Sequence, residues 1–274
     1  MIPAAFDYTR PTSVDEALAG LAEHGDDAKI LAGGHSLLPL MRLRLAQPEL
    51  LIDVGRLDDL RGIRDGGDHV AIGALTRHRD VETSNLLKAE AAILPAATSQ
   101  VGDPQVRHRG TIGGSIAHAD PASDLPAVLL ALDATLVARS QARGERTIGV
   151  RDFFTGFLES ALEPDELLTE IRVPKNAAAG WSFQKFNRRA QDWAIVGVAA
   201  VHNGRTGVGL VNMGSVPLVA GAVEQAVADG ASAADAAELA AEGAEPQADL
   251  NASIEYRTHL AKVLVRRALT EAGV

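Results

Sequence analysis

Two glycine-rich segments of the chain carry the residue types that bind a diphosphate. They read LAGGHS at residues 31–36 and RGTIGGSIA at residues 109–117. Paired glycines have no Cβ and permit positive φ, so consecutive backbone N–H groups can point at one anion, while serine and threonine hydroxyls add donors. Two unrelated tight turns are the simpler alternative. Because β-forming residues flank both segments, we expect two loops that close on one diphosphate.

Two carboxylates, Asp120 and Asp124, follow the second glycine segment. Either side chain could cap the helix predicted after it, a role worth roughly 1 kcal/mol. A carboxylate so near a diphosphate loop could instead accept hydrogen bonds from ribose or ribityl hydroxyls. We favour capping for Asp120 and leave both roles open for Asp124.

A mixed-charge run at residues 185–193 reads KFNRRAQDW. The common interpretation of such a run is a solvated hairpin tip. The alternative is a lid over the diphosphate site, in which Trp193 offers an aromatic face and Lys185 places a charge near an electron-poor ring. Aromatic residues make up only 4% of the chain, so a tryptophan beside a charged turn keeps the lid interpretation open.

The composition narrows the chemistry that these segments could perform. The chain has 274 residues, a formal net charge of −10 and no cysteine. This negative charge argues against nucleic acid as the main partner, because neutralising phosphates needs a basic face. Without cysteine the chain can form no disulfide, thiolate-bound zinc site or thiolate-ligated iron–sulfur cluster, and its scattered histidines form no metal motif. Redox chemistry in this chain would therefore need an organic cofactor.

The chain lacks several familiar signatures. No apolar run approaches the roughly 20 residues of a transmembrane helix. The N-terminal residues resemble no signal peptide, so we expect a cytoplasmic protein. The dinucleotide-binding, nucleotide-hydrolase, nucleophile-elbow and zinc-protease motifs are missing, and the GVGL at residues 207–210 is predicted to lie inside a strand.

The elements that position these segments form three successive parts. In residues 6–54 the pattern predicts strand, helix, strand, helix, strand, with the first helix starting at a capping box of Ser13 and Glu16 and the second spanning 37–45. Next come strands at 60–63, 69–72, 134–138, 147–150 and 166–173, and helices at 78–94 and 127–132. After a polar stretch at 175–180, we expect antiparallel strands at 181–186, 194–201 and 208–213 and a helix within 219–243. A last helix starts at Ser253, with Tyr256, Leu260, Val263 and Ala268 on one face.

At these segments the sequence resembles a known family, the FAD-binding medium subunits of the molybdenum hydroxylases. Within this xanthine dehydrogenase family it is most similar to the carbon monoxide dehydrogenase type. Residues 32–36 and 111–115 match the two diphosphate motifs of the family. Residues 119–126 match the segment that follows the second motif, and residues 188–194 match its hairpin. The resemblance covers essentially the whole chain.

The resemblance implies an α+β fold. Residues 1–175 would form an FAD-binding domain of the vanillyl-alcohol-oxidase/PCMH type, with subdomains at about 1–56 and 57–175, and residues 176–274 a C-terminal domain with a three-stranded antiparallel sheet and helices. Asp124 would bind the adenosine part, and Trp193, often tyrosine in the family, would lie near the isoalloxazine without offering a phenol. The implied FAD contacts are Leu31, Ala32, Gly33, Gly34, His35, Ser36, Leu37, Thr111, Ile112, Gly113, Gly114, Ser115, Asp124, Leu168, Lys185 and Trp193.

The role implied by the resemblance is electron transfer. Electrons would pass from [2Fe–2S] clusters of a small subunit through FAD in this chain to an external acceptor, while a large molybdenum–pterin subunit oxidises the substrate. We expect a dimer of heterotrimers, a possible peripheral contact with the acceptor, FAD as this chain's cofactor, and no catalytic or metal-binding residue in it. The alternatives are a self-contained FAD-dependent oxidase of the same fold superfamily and a nucleotide-binding assembly module without a redox role.

Overall fold

The structure is a computed structural model that describes residues 2–274. Its N-terminal part is the small α/β unit that the sequence predicts. The elements are β1 (Asp7–Thr9), α1 (Val14–His24), β2 (Ala28–Leu31), α2 (Leu37–Arg42) and β3 (Leu50–Asp53). The strands are parallel in the order β1–β3–β2. Ligand sites of parallel sheets lie beyond the carboxyl ends of the strands, and the first glycine segment follows β2 at that edge.

Helix α1 begins and ends as predicted, but its capping box is only half formed. The Ser13 hydroxyl accepts a hydrogen bond of 3.1 Å from the Glu16 N–H, and Gly25 ends the helix with a φ of 51°. The Glu16 carboxylate accepts from the N–H and hydroxyl of Thr12, not from the Ser13 N–H. Helix α2 is shorter than predicted and ends at Arg42.

The middle of the chain builds a five-stranded antiparallel sheet and a separate hairpin. The strands are β4 (Ile63–Asp65), β5 (His69–Gly73), β6 (Thr135–Ser140), β7 (Gly144–Gly149), β8 (Phe154–Gly156), β9 (Glu159–Ser160) and β10 (Glu166–Pro174). The sheet has the order β4–β5–β10–β6–β7, and β8 and β9 form the hairpin. The β8–β9 hairpin is not predicted by the sequence pattern. The strand predicted at 60–63 begins only at Ile63, because Leu60 closes a short 3₁₀ turn.

The helix predicted over residues 78–94 is wrong, because the chain breaks twice there. Ser84 is extended and caps the next helix by accepting from the Leu87 N–H, and Ala91 leaves the helical region with a φ of −155°. The helices of this part are α3 (His78–Thr83), α4 (Asn85–Glu90), α5 (Ile93–Thr98), α6 (Pro104–Arg109), α7 (Ile112–His118) and α8 (Asp124–Leu132).

The C-terminal part contains the three predicted antiparallel strands and a short fourth. The strands β11 (Gly180–Phe186), β12 (Val196–His202), β13 (Thr206–Val211) and β14 (Leu218–Val219) follow one another in the sheet. The single helix expected within 219–243 is instead α9 (Gly221–Ala228) and α10 (Ala233–Ala237), separated at Gly230, whose φ is 90°. In α11 (Ile254–Glu271) the buried face includes Leu260 and Ala268, but Tyr256 is 43% exposed, contrary to the prediction.

Helix α8 lies between the five-stranded sheet and the C-terminal sheet. All nine of its residues are buried. It packs so closely on β13 that a side chain would not fit between them. A Cβ on Gly207 would overlap the carbonyl oxygen of Ala131, and one on Gly209 would overlap that of Ala127. The GVGL stretch therefore lies inside a strand, as predicted, and its glycines bring helix and sheet into contact. Among residues 2–274, no helix is both long and apolar enough to cross a membrane.

Candidate functional site

A cleft of about 750 Å³ lies between the N-terminal unit and the five-stranded sheet. Both glycine segments, strand β10 and the turn after β11 line it. Of the sixteen residues that the resemblance assigns to FAD, fourteen line this cleft: Ala32, Gly33, Gly34, His35, Ser36, Leu37, Thr111, Gly113, Gly114, Ser115, Asp124, Leu168, Lys185 and Trp193. Leu31 ends β2 and Ile112 is buried in the core, so neither is in the lining. Residues distant in the sequence thus meet at one cleft.

The first glycine segment presents free backbone donors. Within the described part of the chain, the N–H groups of residues 33–37 have no hydrogen-bond partner. Gly34 makes the turn with a φ of 78°. Helix α2, which follows, receives no side-chain cap from Ser36. Successive unpaired N–H groups at a helix start form a concave site for an anion, so this segment suits a diphosphate.

The second glycine segment is a helix start rather than a loop. Thr111 caps α7, so Gly113 and Gly114 lie in its first turn. The N–H groups of Ile112 and Gly113 donate to the carbonyls of Thr76 and Ala74, at 3.0 and 2.9 Å. The next two N–H groups, at positions 114 and 115, donate to the Thr111 hydroxyl and carbonyl. These four amides are therefore paired within the chain, and the segment forms a rigid wall facing the first.

The two glycine segments touch each other at Gly33. A Cβ built on Gly33 would lie 2.5 Å from the carbonyl oxygen of Arg109 and 2.8 Å from the Cα of Gly110. Both atoms belong to backbone that cannot rotate away. Glycine at position 33 therefore sets the separation of the two walls.

A residue that sequence reasoning missed, His78, supports the second segment. Its N–H donates to the Gly110 carbonyl at 2.9 Å, and its buried ring lines the cleft. Burial, with smaller contributions from His35 and Arg107, lowers the pKa of His78 to about 4. Its Nδ1 has no hydrogen-bond partner among the described residues. A single histidine at a helix start gives no sequence signal for this role.

Because His78 stays neutral in the fold, its contribution to stability should be lost on acidification. The unfolded chain binds a proton at the ordinary pKa of 6.5, whereas the folded chain binds it only near 4. We expect the His78 contribution to the unfolding free energy to fall by up to about 3 kcal/mol as pH drops through this window, while Asp124, whose pKa is raised, contributes a change of the opposite sign. Urea unfolding at several pH values should therefore show His78→Gln gaining stability relative to the parent as pH falls, whereas the exposed His24→Gln should behave like the parent. The same pH dependence in all three proteins would contradict this account.

Asp124 and Lys185 form a buried ion pair in the cleft wall. The Lys185 Nζ lies 2.7 Å from the Asp124 Oδ2, and the two side chains are only 3% and 6% exposed. Lys185 also donates to the Gln100 carbonyl at 2.9 Å. Burial raises the pKa of Asp124 to about 6, although the neighbouring ammonium opposes the shift. Asp124 Oδ1 is buried without a partner and is free to accept from a ligand hydroxyl.

The observed contacts show that neither aspartate caps a helix. Asp124 is the first residue of α8, and its one carboxylate partner in the described chain is Lys185, so it does not cap the helix. The capping predicted for Asp120 is wrong, because its Oδ1 accepts from the Ala122 N–H at 2.8 Å within a turn and Ser123 precedes the helix.

The turn at residues 187–193 has features of both a solvated hairpin tip and a lid. Arg188 and Arg189 are exposed, with Arg189 3.3 Å from the Asp192 carboxylate, as in a solvated tip. Gln191, Asp192 and Trp193 line the cleft, as in a lid, and the indole remains 59% exposed. An aromatic face therefore stands at the cleft mouth, on the same hairpin as Lys185.

Comparisons with known proteins agree along the whole chain. The profile of the FAD binding domain in molybdopterin dehydrogenase matches residues 4–176, and that of the CO dehydrogenase flavoprotein C-terminal domain matches residues 181–272. The carbon monoxide dehydrogenase medium chain of Hydrogenophaga pseudoflava is 42% identical, over 99% of this chain and 98% of that protein. The 6-hydroxypseudooxynicotine dehydrogenase complex subunit alpha of Paenarthrobacter nicotinovorans is 39% identical, with coverages of 99% and 96%.

A solved structure agrees as well. The carbon monoxide dehydrogenase from H. pseudoflava that lacks the Mo-pyranopterin moiety of its cofactor contains a chain with a TM-score of 0.95 and 44% identity. That match covers 99% of this chain and 98% of the other.

Proposed function

The chain belongs to the family of FAD-binding medium subunits of multi-subunit molybdenum hydroxylases, and from this membership we propose that it is their electron-transfer relay. It would receive electrons from the [2Fe–2S] clusters of a small partner subunit and deliver them to an external acceptor. Substrate oxidation would take place in a large partner subunit that holds the molybdenum–pterin centre. That large subunit would also select the substrate, so the sequence of this chain does not identify it.

One observation carries the proposal: the residues of the cleft fit FAD. Five successive unpaired N–H groups, at residues 33–37, suit its diphosphate. The unpartnered Asp124 Oδ1 suits a hydroxyl of its sugar chains. When bound, FAD would accept and donate one or two electrons, while the protein would orient the cofactor and tune its reduction potential.

The residues divide the work along the cleft. Residues 32–36 would bind the diphosphate, with the helix start at 111–115 as the opposing wall. Asp124 would accept from a cofactor hydroxyl, and its partner Lys185 would hold positive charge in the wall. Leu168 and Trp193 would pack against the cofactor and exclude water. We propose that residues 1–175 form the FAD-binding domain and residues 176–274 a second domain that carries the turn with Trp193.

The proposed assembly is a heterotrimer, paired into a dimer of heterotrimers. The relatives named above are a medium chain and a complex subunit, which supports further subunits here as well. The chain has no cysteine to ligate an iron–sulfur cluster, so the clusters of the relay would belong to a partner. We also propose that it works in the cytoplasm, where its acceptor would contact it peripherally.

Mild affinity purification of this chain from its host tests the proposal. We expect two co-purifying subunits, one FAD per copy of this chain, and iron and molybdenum in the partners. A flavin-loaded chain that purifies alone and oxidises small alcohols or amines would contradict the relay and support a self-contained oxidase. A chain whose bound flavin no reductant bleaches would point to an assembly module.

Titration of Asp124 should make FAD binding depend on pH. Its carboxylate accepts hydrogen bonds strongly when ionised, and its pKa in the fold is raised to about 6. We expect FAD affinity to fall about tenfold as pH drops through this value. That change in affinity corresponds to the free energy of about one hydrogen bond to a charged group. Fluorescence titrations of deflavinated protein should show this fall in the parent and a weak, flatter profile in Asp124→Asn. A parent profile as flat as that of the variant would refute the assignment.

A further inference from the structure

We infer that Asn212 is a positioning residue that holds Trp193 in place relative to the cleft wall that carries Asp124. Its relevance to the cofactor rests on the proposed FAD function, but the contacts themselves do not. Asn212 follows the last residue of β13, is only partly buried, and is not part of the cleft lining.

Asn212 hydrogen-bonds to two segments that adjoin the cleft lining. Its backbone N–H donates to the Pro121 carbonyl at 2.8 Å. Its side-chain Nδ2 donates to the Ala194 carbonyl, also at 2.8 Å. Pro121 lies two residues before the cleft residue Ser123, and Ala194 directly follows Trp193. A single residue therefore links the wall that carries Asp124 to the turn that carries Trp193.

The backbone conformation explains why the residue is asparagine. Asn212 has a φ of 62°, in the left-handed region, where asparagine and glycine are the residues that fit most readily. Glycine would offer no side-chain donor to Ala194. Aspartate would direct a carboxylate, which only accepts hydrogen bonds, toward a carbonyl oxygen. Asparagine is thus suited both to the turn and to the donor that the turn requires.

The other contacts at the base of the turn cannot replace this link. The Ile195 N–H donates to the Phe186 carbonyl at 2.7 Å, which only closes the hairpin on itself. The Arg257 guanidinium donates to the Ile195 carbonyl and ties the base to α11, within the C-terminal part. The Lys185–Asp124 ion pair joins the strand that enters the turn to the start of α8, but it makes no contact at the end of the turn that carries Trp193. Asn212 bonds both to the segment between α7 and α8 and to the residue next to Trp193. The Asn212 side chain therefore holds the end of the turn that carries Trp193.

The test measures the motion of Trp193 first without cofactor. Trp181→Phe leaves Trp193 as the one tryptophan of the chain, since the sequence contains two. In this background, Asn212→Gly keeps the left-handed backbone and Asn212→Asp keeps the side-chain shape, while both remove the donor. We expect the amplitude of nanosecond depolarisation of Trp193 emission to rise about twofold in both variants. Amplitudes equal to the parent in both would overturn the inference.

A control removes one side-chain hydrogen bond from the far end of the same strand pair. Thr206→Val deletes the 2.8 Å contact between the Thr206 hydroxyl and His202. It should change the melting temperature without changing Trp193 depolarisation. If Thr206→Val raises the depolarisation as much as the Asn212 variants do, general loosening of the sheet explains the effect and the positioning role is refuted.

Titration with FAD then separates the inference from the proposed function. We expect about fivefold weaker FAD binding in both Asn212 variants, because binding must then order a turn that the hydrogen bond already holds in the parent. Failure of the Trp181→Phe parent to bind FAD would count against the proposed function, while the depolarisation result would still decide the role of Asn212. Parent-like affinity and depolarisation in both variants would reject the positioning role alone.

Discussion

The Gly33→Ala variant is expected to bind FAD about a hundredfold more weakly than the parent chain, a loss that corresponds to overpacking of a few kcal/mol. The added methyl group would lie 2.5 Å from the Arg109 carbonyl oxygen and 2.8 Å from the Gly110 Cα. Both are backbone atoms, so the methyl cannot be accommodated by a rotamer change. The two walls must separate, and the N–H groups of residues 33–37 lose their alignment with the opposite wall. Fluorescence titration of deflavinated protein measures the loss.

The matched control for this substitution is Gly221→Ala. Gly221 starts α9, has no positive φ, and a Cβ there would meet nothing within 4 Å. We expect parent-like FAD affinity and melting temperature for it. Thermal unfolding of Gly33→Ala without FAD shows whether the chain remains folded. A folded Gly33→Ala protein with the affinity of the parent would mean that contact between the glycine segments does not shape the cofactor site.

Replacing Lys185 by methionine should be strongly destabilising, by about 3 kcal/mol at alkaline pH. Methionine keeps the apolar part of the side chain, but Asp124 is left as a buried carboxylate without its cation. Because the ammonium lowers the pKa of Asp124 in the parent, that pKa should rise above about 6 in the variant, and the deficit should shrink as pH falls toward 6 and the carboxyl takes up a proton. Urea unfolding at several pH values gives both quantities.

A double variant distinguishes burial of an unpaired charge from loss of packing. Asp124→Asn combined with Lys185→Met removes both charges, and we expect it to regain most of the lost stability, because the penalty arises from the unpaired partner. Like Asp124→Asn, it should still bind FAD more weakly than the parent. Lys262→Met, which breaks a more exposed ion pair with Glu238, should change stability by no more than about 0.5 kcal/mol. A double variant as unstable as Lys185→Met would show that packing, not charge, dominates.

Local sequence patterns predicted the features of the fold that local chemistry determines. Ser13 and Ser253 cap the helices that they were expected to start. The run at 166–173 is β10, closed by Pro174, and the glycine-containing run at 207–210 lies inside β13. The resemblance added what local patterns do not contain, the identity of the cofactor. It also named a set of residues most of which the fold gathers into one cleft.

Long-range partners explain what the sequence did not predict. The second glycine segment begins a helix because Thr111 caps it, while carbonyls of Ala74 and Thr76 take its next two amides. Asp124 pairs with Lys185, 61 positions away, and the local sequence around Asp124 does not predict that contact. The bridging role of Asn212 depends on carbonyls from two other parts of the chain. Such roles become visible only after the chain has folded.

The measurement that tests the account most directly is a comparative titration of the deflavinated protein with FAD and with riboflavin. The account predicts one FAD per chain, and a riboflavin affinity far below that of FAD, because riboflavin has no diphosphate for the N–H groups of residues 33–37. The Gly33→Ala variant should bring the two affinities closer together. Absence of FAD binding, or equal affinities for FAD and riboflavin in the parent chain, would contradict the central claim that this cleft holds FAD through its diphosphate.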